Sequence, residues 1–171
     1  MDPLARGVLP VCFGQATRLT DHIIGGVKIY RAEVKLGITT TTYDAEGEVV
    51  KRAEVPGITQ NILEDNLKPW IGMVNQTPPM YSAIKMDGKR LYKLARSGID
   101  VDITHKTRDV EIHGIEILEF DYPKLIIEVK CGKGTYIRSL AHDLGESLGC
   151  GGHISAMVRL FCGSCSSEES V

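Results

Sequence analysis

The sequence predicts an α+β fold: a mixed, mostly antiparallel sheet with flanking helices. Three observations carry this. Apolar residues alternate in segments that come as neighbouring pairs joined by short turns, residues 27–38 with 48–55 and residues 110–120 with 125–131. Helical segments lie between these groups rather than between single strands. The chain has 171 residues, 43% apolar and 25% charged, with no internal repeat or low-complexity linker, which suits one domain with its own core. That domain is expected over residues 1–163, followed by a polar, frayed tail over 164–171.

Each element has a local reason. Asp2-Pro3 opens a short helical turn over residues 2–8, because an Asp side chain caps free N–H groups and Pro gives up a donor that has no partner there. Residues 9–13 form a short apolar strand ending at Gly14. Residues 15–24 form a helix stopped by Gly25-Gly26. In residues 27–38, Val27, Ile29, Ala32, Val34 and Leu36 mark a strand in which alternation is partial. Asp44-Ala45-Glu46-Gly47 turns the chain, and residues 48–55 return as the other arm of a hairpin. Thr59 caps a helix that runs to Lys68 and stops at Pro69, with Ile62, Leu63 and Leu67 on one face.

Thr77-Pro78-Pro79 breaks the chain. Residues 81–86 form a short strand, Asp87-Gly88 a turn, and residues 89–96 a helix ended by Gly98. Residues 110–120 and 125–131 pair antiparallel across Asp121-Tyr122-Pro123. Residues 135–148 form a helix capped by Gly149, and residues 154–161 a last strand.

The net charge is −2 and the pI about 6.2, so nothing overall advertises nucleic acid, and local patches decide. No apolar run approaches bilayer length and no signal-peptide pattern opens the chain, so the expectation is a cytoplasmic protein with no membrane contact. The five cysteines are odd in number and scattered, which argues against a disulfide framework. Cys150 with His153, and Cys162 with Cys165, have zinc-like spacing at each end. The segment between them reads as an apolar strand, however, and unconnected thiols are the plainer account.

Three clusters could carry chemistry. Asp2 is a helix cap or a reactive carboxylate. From Tyr81 to Arg96, five cations and two tyrosines fall in sixteen residues against one acid, Asp87. Cations suit phosphates and rings suit bases, although a solvated helix face has the same composition. In Lys133-Gly134-Thr135-Tyr136-Ile137-Arg138-Ser139-Leu140 a glycine turn puts Tyr136 and Arg138 near a sheet edge, where Arg can hold a carboxylate ionised or form an ordinary surface pair. No serine or cysteine triad, no glycine-rich phosphate loop and no histidine metal spacing is present. A lone carboxylate, an arginine and aromatics beside a basic patch suggest chemistry on a nucleotide without metal or cofactor.

Together these clusters resemble the TruB family, the bacterial tRNA uridine-55 pseudouridine synthases. Asp2-Pro3-Leu4-Ala5-x-Gly7-Val8-Leu9-Pro10-Val11 through Gly14-x-Ala16-Thr17 is similar to the family's catalytic motif. Lys28-x-Tyr30-x-Ala32 with Leu36-Gly37, and Tyr43-Asp44-Ala45-Glu46-Gly47, resemble its second. Pro78 to Lys85 with Arg90-Leu91-Tyr92 resembles a third. Lys133 to Leu140, Asp143-Leu144-Gly145, Leu148-Gly149-Cys150-Gly151 and His153 resemble a fourth. The motifs keep family order across nearly the whole chain, which is far more specific than any one alone.

The resemblance implies a partial pseudouridine synthase catalytic domain over residues 1–163 and isomerisation of uridine 55 in the T-arm of tRNA. Asp2 would be the nucleophile. Tyr30 would stack on the flipped uracil and help remove its C5 proton. Arg138 would pair with Asp2, Tyr136 would stand beside them, and Met157 would wall the base pocket. Tyr81, Lys85, Lys89 and Arg90 would face the RNA. The partner would be the T-arm stem-loop, and the protein a monomer.

Against that family, Met1 stands where Leu is usual, and a preceding strand and helix and a C-terminal RNA-binding extension are expected to be missing. Thr41 replaces an acid. Val158, Leu160 and Phe161 replace polar residues, while Arg159 is kept. An inactive RNA-binding remnant is therefore the alternative. The hairpin and the Pro78-Pro79 block look bacterial, which ranks the guide-RNA-directed relatives of archaea and eukaryotes lower.

Overall fold

The computed structural model describes residues 2–54, 57–86, 88–98 and 102–169. A seven-stranded mixed sheet forms its frame. In chain order the elements are β1 (Ala5–Gly7), a 3₁₀ helix (Gly14–Leu19), α1 (Thr20–Gly25), β2 (Lys28–Leu36), β3 (Ile38–Thr40), β4 (Val49–Arg52), α2 (Gln60–Leu67), β5 (Gly72–Gln76), β6 (Lys85–Met86), β7 (Lys89–Arg90), α3 (Leu91–Arg96), β8 (Arg108–Asp121), β9 (Lys124–Cys131), α4 (Ile137–Ser147), β10 (Gly152–Cys162) and β11 (Cys165–Ser166). The large sheet runs β1-β10-β2-β9-β8-β5, with β11 also on β10. Only β1 with β10 is parallel among these pairings; the others are antiparallel. This is the α+β, mostly antiparallel architecture that the hairpin patterning predicts.

Alternation decides which face is covered. On β9, Leu125, Ile127, Val129 and Cys131 are fully buried, and Ala32, Val34 and Leu36 of β2 lie beside them. Leu63 and Leu67 of α2 and Leu140, Ala141 and Leu144 of α4 pack onto that face. The helices begin and end as their chemistry dictates. The Thr59 hydroxyl accepts the Ile62 N–H at 3.4 Å and caps α2. Gly149 takes φ +76° just past the end of α4, a conformation that favours glycine. Gly145 sits where α4 meets the start of β10. A Cβ there would collide with the backbone of Gly151 and Gly152.

Several expectations need correction. Residues 2–8 are not a helical turn throughout. One turn closes with the Ala5 N–H on the Asp2 carbonyl (3.0 Å), and Ala5–Gly7 then becomes a strand because β10 offers a free edge. Residues 9–13 form no strand, and Leu9, Val11 and Phe13 stay exposed because no strand lies beside them. Ile62 is exposed, so the buried face of α2 narrows to Leu63 and Leu67, four residues apart. In residues 81–86 only Lys85–Met86 is extended; it pairs with Lys89–Arg90, and α3 starts two residues later than expected. The Asp87 half of that turn and Val55 of the earlier hairpin lie outside the described residues. β5 was not anticipated. In the tail, Cys165–Ser166 pairs with β10, and Ser167–Glu169 makes a single turn.

Candidate active site

Asp2 lies three residues before β1, whose parallel register sets Ala5 opposite Met157. Arg138 comes from the first turn of α4, 136 residues away. The two side chains form a two-point ion pair. Nη2 donates to Oδ1 at 3.0 Å, and Nε lies 2.9 Å from Oδ2. The Arg138 side chain is 5% exposed and that of Asp2 32%, so the carboxylate keeps an open side.

The guanidinium is held from three other directions. Nη1 donates to the Thr42 carbonyl at 2.9 Å and lies 3.3 Å from Asp44 Oδ2. Nη2 also donates to the Tyr81 carbonyl at 3.0 Å. Asp44 is itself buried, and its Oδ1 accepts from the Thr42 hydroxyl and from the Glu46 N–H. Two carboxylates therefore share one arginine, and that arginine cannot turn without breaking several bonds at once.

The turn that delivers Thr42 and Asp44 is pinned by a stack. The Tyr43 and His142 rings lie 3.8 Å apart and 4° from parallel. Tyr43 has φ 62°, the only positive value outside glycine among the described residues. Burial pushes the His142 pKa below its ordinary value, against the nearby charge of Glu146. Asp143, beside it, is pushed up to about 6 by burial and then by Glu146.

Tyr30 and Met157 lie on the covered face of the sheet. The sheet registers pair Ala5, Met157 and Ala32 in one row, and Gly7, Arg159 and Tyr30 in the next. Met157 is buried and Tyr30 half-buried, and both belong to the packed apolar layer on that face. Burial raises the Tyr30 pKa, and a hydrogen bond with Arg159 partly offsets this.

Tyr136 stands just ahead of α4, and its backbone is gripped by Gln76 of β5. The Tyr136 N–H donates to Gln76 Oε1 at 2.7 Å, and Gln76 Nε2 donates to the Tyr136 carbonyl at 3.0 Å. Its ring lies under Arg108, 5.3 Å from the guanidinium carbon to the ring centre. The structure thus brings Asp2 and Arg138 into contact, places Tyr30 and Met157 in adjacent rows of one sheet face, and gives the Tyr136 ring to Arg108.

Lys85, Lys89 and Arg90 share one exposed two-stranded hairpin, with Lys85 opposite Arg90. Tyr81 links this basic segment to the ion pair through its carbonyl. The zinc-like pairs are separated: Cys150 and Cys162 flank opposite ends of β10, roughly 35 Å apart for an extended strand. His153 Nδ1 instead bonds the Ile38 carbonyl at 2.8 Å.

Sequence reasoning did not find Gln76, the Tyr43–His142 stack, or Asp44 as a partner of Arg138. A signal existed for Asp44 alone, as the acid of a turn inside a recognised motif. The other roles depend on which elements meet.

Comparison with known proteins identifies relatives of the chain and of its fold. The model of the N-terminal domain of TruB family pseudouridylate synthases matches residues 1–137. The chain is 50% identical to tRNA pseudouridine synthase B of Francisella philomiragia subsp. philomiragia over 160 residues, covering 93% of this chain and 52% of that protein. The same values hold for tRNA pseudouridine synthase B of Francisella tularensis subsp. novicida. The chain thus spans about half the length of the curated relatives it matches. A crystal structure of a Cbf5-Nop10-Gar1 complex contains a chain that superposes with a TM-score of 0.68 at 27% identity, over 95% of this chain and 38% of that one. The archaeal box H/ACA sRNP Nop10-Cbf5 complex gives a TM-score of 0.63 at 24% identity, over 95% and 37%, a likeness of fold alone.

Proposed function

Because the chain belongs to the TruB family of pseudouridylate synthases, we propose that it carries the chemistry converting uridine 55 in the T-arm of tRNA to pseudouridine, as a cytoplasmic monomer with Asp2 as nucleophile. The observation that carries this reading is the Asp2–Arg138 pair: a half-open carboxylate oriented at two points by a buried, otherwise fully held arginine. A carboxylate so placed can attack the substrate covalently while the N-glycosidic bond breaks. The freed uracil turns within the pocket, its C5 displaces the Asp2 carboxylate from C1′ of the ribose, the C5 proton leaves to solvent, and N1 gains a proton. Atoms balance without metal, coenzyme or net water.

A base in folded RNA must be extruded to reach such a site. Tyr30 stacks on it, and Met157 closes the pocket wall. Tyr30 also assists removal of the C5 proton, with Arg159 offsetting part of the cost that burial places on the phenolate. Tyr136 is assigned to hold the start of α4, and with it Arg138. Tyr81, Lys85, Lys89 and Arg90 receive the RNA backbone.

The test is tritium release from a T-arm RNA carrying C5-tritiated uridine. Asp2→Asn should abolish release while RNA affinity stays within about twofold, a small change on the scale of one hydrogen bond. Turnover surviving in the Asn variant would refute the nucleophile.

A second reading is an RNA-binding remnant without isomerase activity. It draws on Leu9, Val11, Phe13, Leu19 and Ile24, which are all more than half exposed in the segment following Asp2. This reading expects salt-sensitive tRNA binding with no tritium release.

A further inference from the structure

Lys28 and Arg159 lie near one another on the covered face of the sheet. The registers pair Lys28 with Cys162, and Tyr30 with Arg159. Each of the two cations is 8% exposed. Among the described residues, neither has a carboxylate within ion-pair distance. Lys28 Nζ donates to the carbonyls of Ile24 (2.6 Å) and Gly26 (2.8 Å). Arg159 Nε donates to the Val8 carbonyl at 2.8 Å, and its guanidinium also meets the Tyr30 hydroxyl. Neutral oxygens therefore solvate both groups, and two positive charges are left without a counter-charge. Buried charges are costly unless paired, and an anion from outside would supply the missing partner.

Both side chains line a single cavity of about 300 Å³, roofed by Leu9, Pro10, Ile23 and Ile24, with Cys12 and Cys162 also in its wall. We propose that this cavity binds a phosphodiester of the substrate, the one adjoining the nucleotide whose base rests on Tyr30. This rests on the function proposed above and assigns a second subsite to it. Arg159 is the joint: one guanidinium meets both the stacking tyrosine and the cavity. A base on Tyr30 leaves its own phosphate only a ribose away. Phosphate is the anionic group of RNA, and an arginine fork beside a lysine point charge is the donor set that suits it. Lys28 and Arg159 thus position the extruded nucleotide, while Asp2 reacts with it.

The experiment uses the full chain and two T-arm stem-loops, one unmodified and one with a neutral methylphosphonate beside the target uridine. Wild type should bind the neutral RNA roughly tenfold or more weakly, the scale of a lost charge-assisted hydrogen bond. Arg159→Gln should bind the unmodified RNA more weakly and lose distinctly less than wild type on neutralisation, because both changes remove the arginine's contact while that of Lys28 remains. No loss in wild type, or equal losses in both proteins, would overturn the proposal.

A second arm needs no RNA. Inorganic phosphate, against chloride at equal ionic strength, should slow alkylation of Cys12 saturably in wild type, with Cys165 outside the cavity as internal control. Equal rates with either salt would overturn the anion site, and if Arg159→Gln fails to fold, the wild-type arms still decide. Protection of Cys12 without tritium release would uphold the anion site and fail the isomerase reading. Tritium release with neither protection nor a linkage effect would fail the anion site alone.

Discussion

Arg138 concentrates more of the site than any other residue. Each of its three nitrogens has an oxygen within 3.3 Å, and the four partners come from three separate stretches of chain, at Asp2, at Thr42 and Asp44, and at Tyr81. Removing such a partner strands a buried carboxylate. Arg138→Met should therefore cost about 3–5 kcal/mol in urea unfolding, mostly through Asp44, which is 2% exposed. An unchanged unfolding midpoint would show that the cluster tolerates the loss. Asp143 tests a different charge. Its pKa is raised to about 6, so the folded state holds a proton that the unfolded state releases nearer 3.8. Its contribution is therefore present at low pH and is lost as pH rises from about 4 through about 6. His142, with its lowered pKa, acts in the opposite sense, but it is common to both proteins in the comparison. Asp143→Asn should gain stability relative to wild type as pH rises across that window, and parallel curves would refute it. Asp2 and Arg138 were legible because each sits in a motif that constrains its neighbours. Asp44 in its new role was not, since no local pattern says that a turn will reach a helix almost a hundred residues later.

At the scale of elements, β5 explains how α4 is aimed. Gln76 is 1% exposed, and its side-chain amide bonds both backbone groups of Tyr136, two residues before Arg138. The amide stands in for a neighbouring strand at the point where the chain leaves a turn and enters the helix. Gln76→Leu leaves those groups unpaired, which should cost about 1–3 kcal/mol. If α4 orients the ion pair, tritium release should also slow while RNA affinity is kept. A stability loss with unaltered turnover would confine Gln76 to the scaffold. β5 escaped sequence reasoning for a physical reason: only Val74 and Gln76 are buried, and its polar residues break the apolar alternation. β8 and β9 were readable because alternation runs through a long hairpin. β1 was not, because three residues show no period and their partner is β10.

At the scale of the molecule, the sheet carries two populations of residues on one face. Fully apolar rows under α2 and α4 give stability. The rows nearer β1 bring Met157, Tyr30, Arg159 and Lys28, which are amphipathic or charged. The division predicts separable effects. Ile127→Ala, in the middle of β9 and fully buried, should cost about 2–5 kcal/mol in denaturant while leaving RNA affinity of the folded protein unchanged. A weakened affinity at full folding would show that the two regions are not independent. The covered face was foreseeable from the alternation of β2 and β9, but the gradient along it follows from bulges in β10 that reset its register.

The parallel pairing of β1 with β10 also has a consequence in time. Asp2 is made 136 residues before Arg138, and further still before the part of β10 that fixes β1. At about 5–20 residues per second, the Asp2 carboxylate waits on the order of ten seconds before its partner exists. The hairpins and helices between them have local contacts to form meanwhile, whereas the Asp2–Arg138 pair belongs to the contacts of longest reach. The Asp2–Arg138 pair therefore assembles after the local scaffold that must receive it.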